Sequence, residues 1–141
     1  MELKIFCDGG SRGNPGPSAW AFIVYDEKNQ VLAQNNGKMG IATNNVAEYT
    51  AVAKALEWMR DNREKKGVGP IRLKVVFSLD SNLVVSQLNG LFKVKNSKLR
   101  ELVVDIRSLE QAASADIIYQ HIPREKNSAA DFLVNRALDS K

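Results

Sequence analysis

The chain has 141 residues, of which 44% are hydrophobic and 26% are charged, and this composition is typical of one globular domain with a core of its own. No apolar run approaches the ~20 residues that a membrane helix needs, so we predict a single domain over residues 1–141 that does not contact a membrane. Because Cys7 is the only cysteine, an internal disulfide is excluded. This, together with an N-terminal segment that does not resemble a signal peptide, favours a cytoplasmic protein. The net charge of +4 is compatible with a polyanionic partner such as nucleic acid, although many cytosolic proteins without such a partner share it.

The first third of the chain predicts three strands joined by short connections. Alternating apolar residues predict strands at residues 2–8, 19–25 and about 30–38. Between them, the segment Gly9–Pro17 contains four glycines and two prolines and predicts a turn-rich loop, and Asp26–Asn29 predicts a hairpin turn. Connections this short indicate an antiparallel meander.

The remainder of the chain alternates helices with strands. Helical periodicity predicts a helix from Thr43 to Arg60, with Thr43, Asn44 or Asn45 as its N-cap. The later predicted elements are a basic loop at Lys65–Pro70, a buried strand at 71–79, a short helix capped within Asp80–Asn82 and ending near Leu91, a helix over Ser97–Ala113, a strand at 116–122, a loop at Pro123–Ser128 and a helix from about Ala129 to Leu138. The order βββ-α-β-αα-β-α indicates an α/β fold in which helices flank a mixed five-stranded sheet.

Four carboxylates occupy positions where a charged side chain is unexpected. Asp8 and Asp80 each end an apolar strand, and Glu48 and Asp131 fall on the apolar stripes of predicted helices. Strand ends of this kind form sites at one edge of an α/β sheet, and buried carboxylates are costly unless cations neutralise them. The four therefore predict a hard-metal site, suited to two Mg²⁺ ions ~4 Å apart in a phosphoryl displacement. One cysteine and one histidine are too few for a zinc site.

Each carboxylate also has an ordinary structural explanation. Asp8 could be a solvated turn residue, and Glu48 could be a first-turn glutamate that the helix dipole favours. Asp80 could cap the helix that follows it, and Asp131 could close a capping box with Ser128. The metal hypothesis depends on all four lying together.

The loop before the last helix carries further polar candidates. His121 is the only histidine and ends a predicted strand, where it would hold the following loop or, alternatively, act as a general acid or in product release. Arg124, Lys126 and Asn127 follow it and could reach phosphates or orient Asp131.

Four motifs resemble those of type 1 ribonucleases H, in the order and at the spacing typical of that family. They are Phe6–Pro17, Thr43–Tyr49, Asp80–Asn82 and His121–Asp131. The resemblance spans nearly the whole chain and implies the ribonuclease H-like fold, with three antiparallel strands followed by two parallel ones. It also implies an endoribonuclease that hydrolyses the RNA strand of RNA–DNA hybrids with two Mg²⁺ ions, or Mn²⁺ as a substitute, and leaves 5′-phosphate and 3′-hydroxyl ends.

The resemblance carries the family's site residues onto this sequence. The positions that match its four metal-binding, catalytic carboxylates are Asp8, Glu48, Asp80 and Asp131. The implied substrate-binding residues are Gly9, Gly10, Ser11, Asn14, Thr43, Asn44, Asn45, Asn82, Arg124 and Asn127, with Thr43 matching a contact to a DNA phosphate. Amide side chains both donate and accept hydrogen bonds, as recognition of ribose 2′-hydroxyls in a shallow minor groove requires. The implied partner is an RNA–DNA hybrid bound by a monomer, and double-stranded RNA stays open as a second substrate.

Two departures from the family pattern concern the histidine and the basic surface. Many bacterial members carry a catalytic histidine in the loop before the last aspartate, whereas this loop reads Pro-Arg-Glu-Lys-Asn with no histidine after His121. The resemblance is therefore to the shorter archaeal-like or Gram-positive-like members, with His121 as an auxiliary residue and Arg124 as a partial substitute. The basic protrusion is reduced to Asn89–Arg100, which predicts weaker affinity for the hybrid.

Two other classes of function compete with this one. A duplex-binding module without catalysis would gain nothing from four carboxylates that repel phosphates. A fragment of a nucleotide-binding fold would need a phosphate fingerprint, and the glycine-rich segment lacks the spacing of one.

Overall fold

The computed structural model describes residues 2–62 and 73–140. The strands are β1 (Glu2–Ser11), β2 (Gly16–Tyr25), β3 (Val31–Ala42), β4 (Leu73–Leu79) and β5 (Ala115–His121), and the helices are α1 (Asn44–Asn62), α2 (Asn82–Leu88), α3 (Ser97–Ala113) and α4 (Ser128–Asp139). A 3-10 turn at Arg124–Asn127 leads into α4. The predicted loop at Lys65–Pro70 lies outside the described residues.

The five strands form one mixed sheet in the order β3-β2-β1-β4-β5. The strand β1 pairs antiparallel with β2 and parallel with β4, while β2–β3 is antiparallel and β4–β5 is parallel. The predicted architecture of three antiparallel strands followed by two parallel ones is confirmed. Because Phe6 pairs with Ser78 in the β1–β4 ladder, Asp8 and Asp80, each two residues further on, lie at the same edge of the sheet.

Helices cover both faces of the sheet. On one face α1 packs on the inward residues of β1, such as Ile5 and Cys7, and on the other face α4 packs on small residues of β2, such as Ala21. Burial raises the pKa of the Cys7 thiol, and the neighbouring carboxylates of Glu48 and Asp8 raise it further, so Cys7 is an inert core residue. None of the helices in the described ranges is both long enough and apolar enough to cross a membrane.

The glycine-rich loop is shorter than predicted. We expected Gly9–Pro17 to be a loop, but β1 continues to Ser11 and β2 begins at Gly16. Gly9 and Gly10 belong to the β1–β2 ladder, where they pair with Trp20 and Ala19. The strand β3 also runs past the predicted end near residue 38, with a register shift between Ser18 and Ala19 on the facing strand.

The cap of α2 lies within the predicted segment Asp80–Asn82, and the caps of α2 and α4 test the structural explanations of Asp80 and Asp131. Ser81, not Asp80, is the N-cap of α2, and its hydroxyl accepts a hydrogen bond from the Val84 backbone at 3.3 Å. The predicted capping box between Ser128 and Asp131 does not form, because the 3-10 turn runs directly into α4. Neither Asp80 nor Asp131 is therefore used to cap a helix.

The first helix begins as predicted. The hydroxyl oxygen of Thr43 accepts a hydrogen bond from the Val46 backbone at 3.2 Å, which is the bond of an N-cap residue. The remaining helix ends lie close to the predicted ones, except that α2 ends at Leu88 and not near Leu91.

Candidate active site

Three of the four predicted carboxylates meet at the carboxyl ends of β1 and β4. One oxygen atom from each of Asp8, Glu48 and Asp80 lies within 4.8 Å of the other two. Asp8 and Glu48 are only 5% and 6% exposed. Asp131, half-buried in the first turn of α4, is near enough for its charge to raise the pKa of Asp8, but it is not part of the close group of three. The structure therefore brings three of the four predicted carboxylates within 4.8 Å of one another, with Asp131 near Asp8.

Gly9 explains how a helix can bring Glu48 so close to a strand. A Cβ atom at Gly9 would lie 2.2 Å from the carbonyl carbon of Ala47 and 2.4 Å from the backbone nitrogen of Glu48. The backbone of α1 therefore rests directly on the backbone of β1 next to Asp8. Glu48 lies on the buried stripe of α1 with Val52, as its apolar phase predicted.

The electrostatics of the cluster disfavour three ionised carboxylates in the absence of a cation. Burial, together with the charges of Asp80 and Asp131, raises the pKa of Asp8 to about 7. Burial also raises the pKa of Glu48, with further contributions from Asp8 and Asp80. In addition, Oε2 of Glu48 is buried and has no hydrogen-bond partner among the described residues. Carboxylates that repel each other, one of them with an unpartnered buried oxygen, fit a hard divalent cation such as Mg²⁺.

The raised pKa of Asp8 predicts a stability that falls as pH rises. The folded state favours the protonated Asp8 carboxyl. The stabilisation that this carboxyl gives the folded state is therefore complete below the ordinary pKa of 3.8 and is lost as pH rises through about 7. In EDTA, the free energy of unfolding of the natural chain should therefore fall between pH 4 and 7. The fall should exceed that of Asp8→Asn over the same range by up to about 4 kcal/mol. Urea unfolding of both proteins at several pH values measures this difference, and parallel curves would contradict it.

Asn127 lies beneath the cluster and not on the surface. Its side chain is 1% exposed, and Nδ2 donates to the Cys7 carbonyl oxygen at 2.8 Å and to Oδ2 of Asp80 at 3.2 Å. The expectation that Asn127 contacts substrate is therefore corrected, because its amide is buried and donates to Asp80. Sequence reasoning missed this role because a polar residue in a charged loop gives no sign of burial.

Three predicted substrate residues are joined by hydrogen bonds between the β1–β2 turn and the start of α1. The Ser11 backbone N–H donates to Oδ1 of Asn44 at 2.8 Å, and the Asn44 backbone N–H donates to Oδ1 of Asn14 at 2.9 Å. The Ser11 hydroxyl donates to the Ala42 carbonyl oxygen at 2.9 Å. With both amide oxygens used in this way, the Nδ2 groups of these exposed asparagines are left as donors toward solvent.

The other predicted site residues surround the cluster without joining it. Asn82 is exposed at the start of α2, and Asn45 is half-buried in the first turn of α1. His121 and Arg124 are exposed after β5, and the β4–β5 register pairs His121 with Leu79, one residue before Asp80. Among the described residues, no hydrogen bond or ion pair links His121 or Arg124 to the carboxylates. Gly10 lies half-buried in β1.

Known proteins resemble this chain over nearly its full length. A family model described as reverse transcriptase-like matches residues 6–137. LC11-RNase H1, solved in complex with an RNA/DNA hybrid, is 39% identical and superposes with a TM-score of 0.90, covering 97% of this chain and 96% of that one. Ribonuclease HI of Halobacterium salinarum is 38% identical over 138 residues, which are 98% of this chain and 65% of that protein.

A mycobacterial relative is much longer than this chain. The bifunctional protein Rv2228c of Mycobacterium tuberculosis is 38% identical over 141 residues, which are 99% of this chain but only 36% of that protein. Its N-terminal RNase H domain superposes with a TM-score of 0.84. These relatives share the predicted ribonuclease H-like architecture, and the chain belongs to the type 1 ribonuclease H family.

Proposed function

We propose that this chain is a metal-dependent endoribonuclease that hydrolyses the RNA strand of RNA–DNA hybrids. The observation that carries the proposal is the convergence of Asp8, Glu48 and Asp80 at one edge of the sheet, with Asp131 beside them. The hybrid bound to the related LC11-RNase H1 supports the choice of substrate. The chain acts as a single domain over residues 1–141, as a monomer in the cytoplasm.

In this proposal Asp8, Glu48, Asp80 and Asp131 hold two divalent ions, Mg²⁺ or Mn²⁺. Bound there, the ions supply Lewis acidity to an attacking water and to the leaving oxygen. The chain's own contribution is a fixed set of oxygen ligands, because the contact of Gly9 with α1 keeps Glu48 against Asp8. Water adds to phosphorus, the bond from phosphorus to the 3′ oxygen breaks, and that oxygen takes up a proton. The products carry 5′-phosphate and 3′-hydroxyl ends.

The end chemistry has a direct test. An RNA strand labelled at its 5′ end and paired with DNA should yield labelled fragments that a poly(A) polymerase can extend, because that enzyme requires a 3′-hydroxyl. Fragments that become extendable only after treatment with a 3′-phosphatase would show that the bond on the other side of the phosphate breaks.

The outward amide donors of Asn14 and Asn44 suit recognition of the minor groove. That groove displays ribose 2′-hydroxyls and base acceptors in an RNA-containing duplex. Since the amide oxygens are held by backbone N–H groups, the donors are already oriented before substrate binds, which lowers the entropy lost on binding. Asn45 and Asn82 extend this surface, and the family resemblance assigns Thr43 a contact to a DNA phosphate.

The variant Asn44→Asp tests the outward Nδ2 donor of Asn44 separately from the hydrogen bond that Oδ1 accepts from the Ser11 backbone. The aspartate keeps an oxygen for the Ser11 N–H but replaces the outward donor with a negative charge, so KM for the hybrid should rise about 10–100-fold while kcat changes little. Asn35→Asp is the matched control, because Oδ1 of Asn35 also accepts a backbone N–H, from Asn36 at 2.9 Å, on exposed β3. Steady-state kinetics with a labelled hybrid measure both variants, and an unchanged KM for Asn44→Asp would rule out the donor role.

We expect His121 to be auxiliary. His121→Ala should lower kcat less than tenfold, as befits a group that assists proton transfer or product release without holding metal. The same labelled-hybrid assay, with circular dichroism to verify folding, tests this prediction. A loss as complete as that caused by Asp8→Asn in a folded protein would assign the histidine a larger role.

A further inference from the structure

We propose that Asn127 is a positioning residue that holds Asp80, and with it the start of α4, in the geometry that binds metal. The inference rests on the proposed function, because it assigns a supporting residue to the same carboxylate site. It concerns a residue that the family resemblance implied only as a substrate contact.

The contacts of Asn127 connect three parts of the site. Nδ2 donates to the carbonyl oxygen of Cys7, the residue before Asp8 on β1, and to the carboxylate of Asp80 at the end of β4. Asn127 is also the N-cap residue of α4, the helix whose first turn carries Asp131. One side chain therefore lies between the strands that carry Asp8 and Asp80 and the helix that carries Asp131.

The direction of these hydrogen bonds is fixed by the chemistry of the partners. Both partners are oxygen acceptors, so the amide nitrogen must face them and the amide cannot rotate to exchange its two ends. This orientation leaves Oδ1 buried without a partner among the described residues. A buried unpartnered oxygen is unfavourable, and its presence indicates that the donor on the other end of the amide is required.

The hydrogen bond from Nδ2 of Asn127 opposes the electrostatic repulsion between Asp80 and the other carboxylates. The charge of Asp80 lies beside those of Asp8 and Glu48, whose pKa values it raises. Repulsion would drive the Asp80 side chain toward other rotamers, whereas a charge-assisted hydrogen bond from a buried, immobile amide restrains it. Residues that orient metal ligands in this way change metal affinity or activity about 10–100-fold when they are replaced.

A merely structural role is the alternative, in which Asn127 fills space and fastens α4 to the sheet. Asn127→Asp distinguishes the two roles, since the aspartate has the same size but places an oxygen against Oδ2 of Asp80. A matched control is available at Asn36, whose Nδ2 donates to the Leu133 carbonyl oxygen at 2.7 Å and so joins β3 to α4 away from the cluster. Asn36→Asp removes a comparable bond to the same helix.

The experiment measures metal binding without substrate and kinetics with it. Calorimetric titration with Mn²⁺ should show a dissociation constant about 10–100-fold higher for Asn127→Asp than for the natural chain. The Mn²⁺ concentration needed for half-maximal cleavage should rise in parallel, while KM for the hybrid at saturating metal stays within about threefold. Asn36→Asp should keep the metal affinity of the natural chain. Asn127→Ala, which removes the donor without adding an opposing oxygen, should shift metal affinity in the same direction and serves if the aspartate variant does not fold.

Two results would overturn the inference. One is an unchanged Mn²⁺ affinity in a folded Asn127→Asp or Asn127→Ala variant. The other is an equal loss of affinity in Asn36→Asp, which would assign the effect to the attachment of α4. A natural chain that neither binds Mn²⁺ nor cleaves the hybrid would instead contradict the proposed function, so the two failures are distinguishable.

Discussion

Asp8→Asn and Asp80→Asn should each lower cleavage of an RNA–DNA hybrid by about a thousandfold or more while the fold survives. Each replacement keeps the size of the side chain but removes a charge from the group of three oxygens within 4.8 Å, so that metal ions lose a ligand and several kcal/mol of transition-state stabilisation. The fold should persist because the change also relieves the repulsion that raises the pKa values of Asp8 and Glu48. Initial rates on a labelled hybrid in Mg²⁺, with unfolding curves, measure both effects.

A surface carboxylate provides the control for this experiment. Asp105 is exposed on α3, a helix that carries none of the four carboxylates, and Asp105→Asn should keep the cleavage rate and the stability of the natural chain. Cleavage near the natural rate by a folded Asp8→Asn or Asp80→Asn protein would exclude these residues as metal ligands.

Gly9→Ala should cause a large loss of stability, because the added methyl group collides with the backbone of α1. The new Cβ would lie 2.2 Å from the carbonyl carbon of Ala47, and a backbone neighbour cannot rotate away as a flexible side chain could. The helix α1 must therefore shift from β1, which should lower the free energy of unfolding by about 3 kcal/mol or more. Because the shift carries Glu48 away from Asp8, cleavage should fall as well.

Gly10→Ala is the control that isolates the effect of the close approach of α1 to β1 at Gly9. A Cβ at Gly10 would meet only Cγ1 of Val134, at 3.4 Å, which is near ordinary contact distance. Chemical denaturation of both variants should therefore show a large loss for Gly9→Ala and a small one for Gly10→Ala. Equal, small losses would mean that α1 does not rest on β1 at this point.

The features that sequence predicted best are those that local patterns determine. The helical phase places Glu48 on the buried stripe of α1, and the end of the second apolar run places Asp80 directly after β4. Asp8 instead lies within β1, which continues three residues beyond it to Ser11. The mixed sheet followed from the order and spacing of the elements. Periodicity of this kind needs only neighbours along the chain, so one sequence is sufficient to read it.

The features that sequence could not predict depend on contacts between distant segments. The sequence predicts a loop at Gly9 and Gly10 because glycine usually marks a turn, whereas glycine is needed at position 9 because the backbone of Ala47 lies against it. The sequence predicts that Asn127 binds substrate, although its amide donates to the carbonyl oxygen of Cys7, 120 residues away in the chain. The cap of α2 was ambiguous because Asp80 and Ser81 are both good caps, and only the structure shows which one bonds Val84.

The central claim is metal-dependent cleavage of RNA in a hybrid, and one gel tests it most directly. RNA–DNA, RNA–RNA and DNA–DNA duplexes of one sequence, each strand labelled in turn, are incubated with the protein in Mg²⁺, in Mn²⁺ and in EDTA, beside Asp80→Asn. We predict that the RNA strand of the hybrid is cut with either metal, that its DNA strand and the DNA–DNA duplex stay intact, and that EDTA and Asp80→Asn abolish cutting. An uncut hybrid in both metals, or equal cutting in EDTA, would contradict the account.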